Sequence, residues 1–196
     1  MKLFAKENPW RPIYRASLVF IAVGYLLYFL TLWLSIPAWA REFIEVLTPT
    51  LKSLWSAGRV AAERGEDAFP AQVMILYGVC GCGILSLIFC LSIYIPTERR
   101  NRYFMEMVQH NIGKNISRLK MFLLSTSIFI GSLFSIAFWF VDTTRHSIGW
   151  RAHHIYSTSF TSVTVFDLLA PILFALLILS STSVFYLSVK KSSPFY

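Results

Sequence analysis

Asp142, His146, His153 and His154 are the residues of this chain whose types could bind zinc or move protons. Asp142 and His146 are four apart, the spacing that puts two side chains on one helical face, and imidazole with carboxylate suits zinc. Adjacent histidines point in different directions on a helix or a strand, so His153 and His154 do not complete a set together. The stretch 142–167 around them is polar and rich in Ser and Thr, a setting in which histidines are commonly ordinary surface residues. The sequence has no G-x-S-x-G, no H-E-x-x-H and no phosphate-cradling glycine loop. The reading is no catalytic residue, no metal and no cofactor, with an enzyme using the loop histidines as an alternative.

Cys80, Cys82 and Cys90 all fall within one apolar run. Cys80-Gly81-Cys82 invites comparison with the membrane thiol oxidoreductases, which are also small four-helix proteins. That chemistry needs an exposed thiol of lowered pKa and a second cysteine pair to relay electrons. Here the spacing is C-x-C, and neither polar loop holds a cysteine. The cysteines therefore read as small packing residues.

What must position any such group is a set of long apolar segments. The 196 residues are 56% hydrophobic and 14% charged, with mean hydropathy +0.57, where a soluble domain carries nearer a quarter charged residues. Four runs lack any Asp, Glu, Lys, Arg or His: 16–36, 71–95, 121–141 and 168–189. At about 1.5 Å per residue each spans a hydrocarbon core of about 30 Å. The expected fold is an all-α membrane protein, a four-transmembrane-helix bundle in one polytopic domain. Ala38-Trp39-Ala40 has the small-x-small form of a signal cleavage site, but the apolar run before it is too long for a typical h-region, which predicts an uncleaved anchor.

Sidedness follows from the bases. The segment 96–120 carries Arg99, Arg100, Arg102, Lys114, Arg118 and Lys120, and bases also cluster before the first run and after the last. Lys and Arg stay on the cytoplasmic side, so both termini and 96–120 are expected there, with 37–70 and 142–167 outside. Bases placed at the ends of apolar runs meet anionic headgroups rather than nucleic acid, despite a net charge of +8. Phe104, Val108, Ile112, Ile116 and Leu119 keep a helical phase, which predicts a basic amphipathic helix along the inner leaflet.

In the first outer loop, apolar residues at helical spacing predict an amphipathic helix over 49–64, with Thr48 as N-cap and Pro49 at its first position. The stretch 156–166 is β-prone and is expected to be irregular or a weak hairpin, with Thr164 and Asp167 resembling a helix-starting box. Gly78, Cys82, Ser86 and Cys90 line one face of the second run, and Ser127, Gly131 and Ser135 line one face of the third. Such stripes let helix backbones approach, so these two helices are expected to pack on each other.

The absence of charge from the runs argues against a proton-coupled pump or ion transporter. The layout is similar, in size and topology alone, to immunity proteins against pore-forming bacteriocins and to plasmid or phage exclusion proteins. The resulting expectation is a non-enzymatic bacterial inner-membrane protein that acts on another membrane protein, or on its own copies, by intramembrane or loop contacts. An accessory subunit of a transporter or secretion complex is the alternative.

Overall fold

The computed structural model describes residues 8–34, 37–49, 52–112, 120, 123, 126–131 and 159–189. Among these residues there are helices and no strands. In chain order they are α1 (Arg11–Trp33), α2 (Ala38–Leu47), α3 (Lys52–Arg64), α4 (Phe69–Tyr94) and α5 (Thr97–Ile112). The last, α6 (Ala170–Val189), is continued backwards by a π-helical turn, Val163–Leu169, and a short α turn, Phe160–Ser162. Three of the helical stretches, Arg11–Trp33, Phe69–Tyr94 and Phe160–Tyr186, are long and apolar enough to cross a membrane. Most of the expected third span, including Ser135, lies outside the described residues, as do Asp142, His146, His153 and His154.

The helix starts differ from those read in the sequence, each for a local reason. Pro12 lies in the first turn of α1, where its missing N–H costs nothing, so the helix begins five residues before the uncharged run and includes Arg11 and Arg15. Thr48 does not open a helix: its hydroxyl donates to the Ile44 carbonyl at 2.8 Å and closes α2, an element the sequence reading missed. Helix α3 ends at Gly65, whose φ of 69° lets the Gly65 and Glu66 amides return to the Ala62 and Ala61 carbonyls at 3.2 and 2.9 Å. The stretch expected to be irregular or a hairpin is helical from Phe160, with Ser159 as the N-cap accepting from the Ser162 amide at 3.3 Å. Thr164 therefore lies inside the helix rather than at its start.

Helix α4 is the central element, packed against α1, α3 and α6. Ile13, Phe20 and Tyr28 of α1 meet Met74, Leu85, Phe89 and Ile93 of α4, together with Leu168, Ala175 and Leu179. Tyr103 and Phe104 of α5 close one end of this core, each almost wholly buried. At the other end a second cluster sets Leu54, Ala57 and Val60 of α3 on Ala71 and Ile75 of α4. The Gln72 side chain donates to the Leu54 carbonyl at 3.0 Å and ties the two helices together.

Candidate functional site

Glycine sets how closely α1, α4 and the π-helical turn approach. A Cβ at Gly24 would overlap Leu168, and one at Gly81 would overlap the Phe20 ring. At Gly78 a Cβ would stand 3.1 Å from the backbone oxygen of Asp167. The small residues of α4 thus receive α1 on one side and the last helix on another. Cys82 is buried with Ala170 and Phe174 of α6, and the Ser86 hydroxyl donates to the Cys82 carbonyl at 2.6 Å. Cys90 is half-buried against the core and Cys80 is exposed. Ser127 and Gly131 are exposed, and nothing among the described residues lies within 4 Å of a Cβ at Gly131. The described residues therefore do not bring the two small stripes together.

Asp167 is the residue that sequence reasoning misplaced. The sequence places it last in a polar loop, one position before the uncharged run, but it sits within the helical stretch Phe160–Tyr186 and is only 4% exposed. Its contact at Gly78 is nine residues from the start of α4, about 14 Å along the helix at 1.5 Å per residue. An ionisable group thus lies on a helix of membrane-crossing length, just before the uncharged run 168–189. Among the described residues no hydrogen-bond donor reaches its carboxylate. The turn around it is π-helical, a geometry that recurs at functional sites. The Tyr25 and Thr164 hydroxyls, 2.8 Å apart, pin this turn to α1. The signals available in the sequence were the acid bordering an apolar run and Pro171 four residues on.

Helix α2 carries three arcs. Ile44 is buried against the bundle; Arg41, Glu42 and Glu45 occupy a charged arc; Trp39, Phe43 and Val46 point away from the bundle, 70%, 55% and 74% exposed. Arg41 fastens α2 to the start of α4 through two bonds to Asp67, at 3.2 and 2.6 Å, and stacks over the Phe69 ring at 5.2 Å. The hydrogen bonds from Arg41, aided by the Phe69 amide, hold the Asp67 carboxyl below its ordinary range, and the same contact raises the Arg41 guanidinium. Behind this pair lies a cavity of about 350 Å³ reaching Ile44, Thr48 and Gln72.

At the opposite end, α5 presents the basic residues. Arg99 donates to the Ser92 carbonyl at 2.9 Å and is half-buried, as is Arg100, while Arg102 and Lys120 are exposed. Lys114 and Arg118 lie outside the described residues. Tyr103 anchors the helix: it accepts from the Ser183 hydroxyl at 3.3 Å, meets Trp10 edge-on at 5.1 Å, and is pushed up to about 12 by burial. The Trp10 indole also donates to Glu106 at 3.2 Å. The expected helix in the basic segment is present as far as Ile112.

Fold and site together define an all-helical protein with three apolar helices of membrane-crossing length, bearing no group of three or more metal-ligating side chains among the described residues. No protein-family model matches the chain, and no curated protein or solved structure is significantly similar to it.

Proposed function

We propose that this chain is a bacterial inner-membrane protein with four spans and both termini cytoplasmic, acting without catalysis by contact with another membrane protein. Immunity to a pore-forming toxin, or exclusion of a phage or conjugating donor, is the sharpest form. The supporting observation is the row Trp39, Phe43 and Val46 on α2, exposed while the Arg41–Asp67 pair holds the helix in place. Its i, i+4, i+7 spacing is how an amphipathic helix engages a groove, and aromatic anchors dominate contact energetics. The test is to challenge sensitive cells expressing the chain with pore-forming toxins, phage or conjugating donors. Protection lost in Phe43→Glu, with membrane levels unchanged, is the expected result. No protection in any challenge, together with no protein crosslink from a photoreactive residue at position 43, discards the reading.

Asp167 favours a second reading, an accessory subunit of a transporter or secretion complex. A carboxylate within a span is costly and usually marks an ion or proton path. Asp167→Asn should then impair the complex's transport while leaving co-purification with its partner intact. A chain that is stable alone in mild detergent, with no co-purifying partner, discards it.

A further inference from the structure

A groove of about 420 Å³ runs between α1 and α4 on the side away from α6 and is almost entirely apolar. Its floor is Gly81 with the buried Phe20 and Leu85, and its rims are the exposed Val19 and Val23 on α1 and Ile84 and Ile88 on α4. Because Gly24 lies against Tyr77 while Phe20, one turn earlier on α1, lies against Gly81, one turn later on α4, the two helices run antiparallel here, and the groove extends from Val23 and Tyr77 to Arg15 and Ile88. On α4 it covers Tyr77 to Ile88, about 16 Å at 1.5 Å per residue, close to the depth of one leaflet of a core about 30 Å thick.

Among the described residues only one end of the groove is charged. Arg15 lines it there, exposed and in no ion pair among the described residues. Arg11 lies one helical turn away on the same face of α1, and its Nε is buried without an acceptor among the described residues. Arg15 thus stands at the mouth of an apolar channel one leaflet deep, with Arg11 one helical turn beyond it, and no described residue forms an ion pair with either. A partner helix does not fit: at about 10 Å across and this length it would occupy roughly 1,200 Å³.

We propose that this groove is a site for one anionic phospholipid, its acyl chain lying along Gly81 and its phosphate held by Arg11 and Arg15. Guanidinium suits a phosphate because its planar fork donates to two oxygens at once. The chain supplies burial, and the arginines supply selectivity for headgroup charge. The site is independent of the α2 contact surface, so either proposal can fail alone.

Native mass spectrometry of the full chain in detergent tests this, with phosphatidylglycerol, phosphatidylcholine of the same acyl chains, and inorganic phosphate as probes. One phosphatidylglycerol should be retained in preference to phosphatidylcholine. Arg11→Gln with Arg15→Gln should weaken that binding by roughly 30-fold, the two-charge effect against an anionic headgroup. Ile84→Trp, a change on an exposed rim that does not touch the core, should lower retention of both lipids. Inorganic phosphate should not displace the bound lipid. Equal retention of the two lipids, lipid binding undiminished in both the double arginine variant and Ile84→Trp, or displacement by phosphate alone overturns the proposal.

Discussion

The Tyr77 hydroxyl donates to the backbone carbonyl of Phe20 at 2.6 Å while the two rings stack 4.6 Å apart and 9° from parallel. One side chain thus joins α4 to α1 by a polar and an apolar contact at once. Hydrogen bonds between membrane helices contribute modestly, because the separated helices find other partners. Tyr77→Phe should keep the stack and cost about 0.6 kcal/mol, read as a shift in the midpoint of unfolding by a denaturing detergent.

The glycines of α4 separate close approach from mere smallness. Gly81→Val should destabilise by about 1–3 kcal/mol, since the added carbons meet the Phe20 ring. Gly83, two residues on, has nothing within 4 Å of its Cβ position, so Gly83→Val should leave the same unfolding midpoint nearly unchanged. Equal effects at the two sites would show that α1 does not pack where Phe20 places it.

The Arg41–Asp67 pair gives a pH dependence of known sign. Because the folded protein holds the Asp67 carboxyl below its ordinary value of 3.8, the pair stabilises above that value, and the contribution is lost as pH falls through the lower folded value. Both side chains are about half exposed, so the effect is under about 1 kcal/mol. Asp67→Asn should lower stability slightly at pH 7 and match the parent protein in strong acid.

At the other end the sign reverses. Tyr103 is raised from an ordinary value of 10.0 to about 12, chiefly by burial, with the bond from Ser183 pulling back. Its contribution is complete below pH 10 and lost as pH rises through about 12. Ultraviolet titration of tyrosinate should lose a late-ionising component in Tyr103→Phe.

Much of the chain was legible because membrane-crossing helices announce themselves by composition. The uncharged runs located three of the long helices, and the basic segment was read as helical from the phase of Phe104, Val108 and Ile112. Helix α2 was missed because its apolar arc is split between the bundle and the exterior, with Ile44 on one side and Trp39, Phe43 and Val46 on the other. The stretch before Asp167 misled because β-branched residues favour strands locally, yet packing of Val163 and Leu168 against α1 and α4 outweighs that preference. Which helix receives each small residue was not readable, since a stripe states only that something comes close. Gly78 meets the Asp167 backbone, and no spacing within α4 specifies that.

A π-helical turn holds one residue more per hydrogen-bonded loop than an α-helix. Val163–Leu169 therefore behaves as a tolerated insertion in a long apolar helix whose remainder is regular. Deleting Val165, which is exposed, should let the segment relax to α-helix without removing a core side chain. Everything before the deletion would then turn by about 100° relative to α6, carrying Thr164 away from Tyr25 and Ser159 away from its present place. The extra residue thus acts as a phase-setter, deciding which face the chain presents as it leaves the bundle.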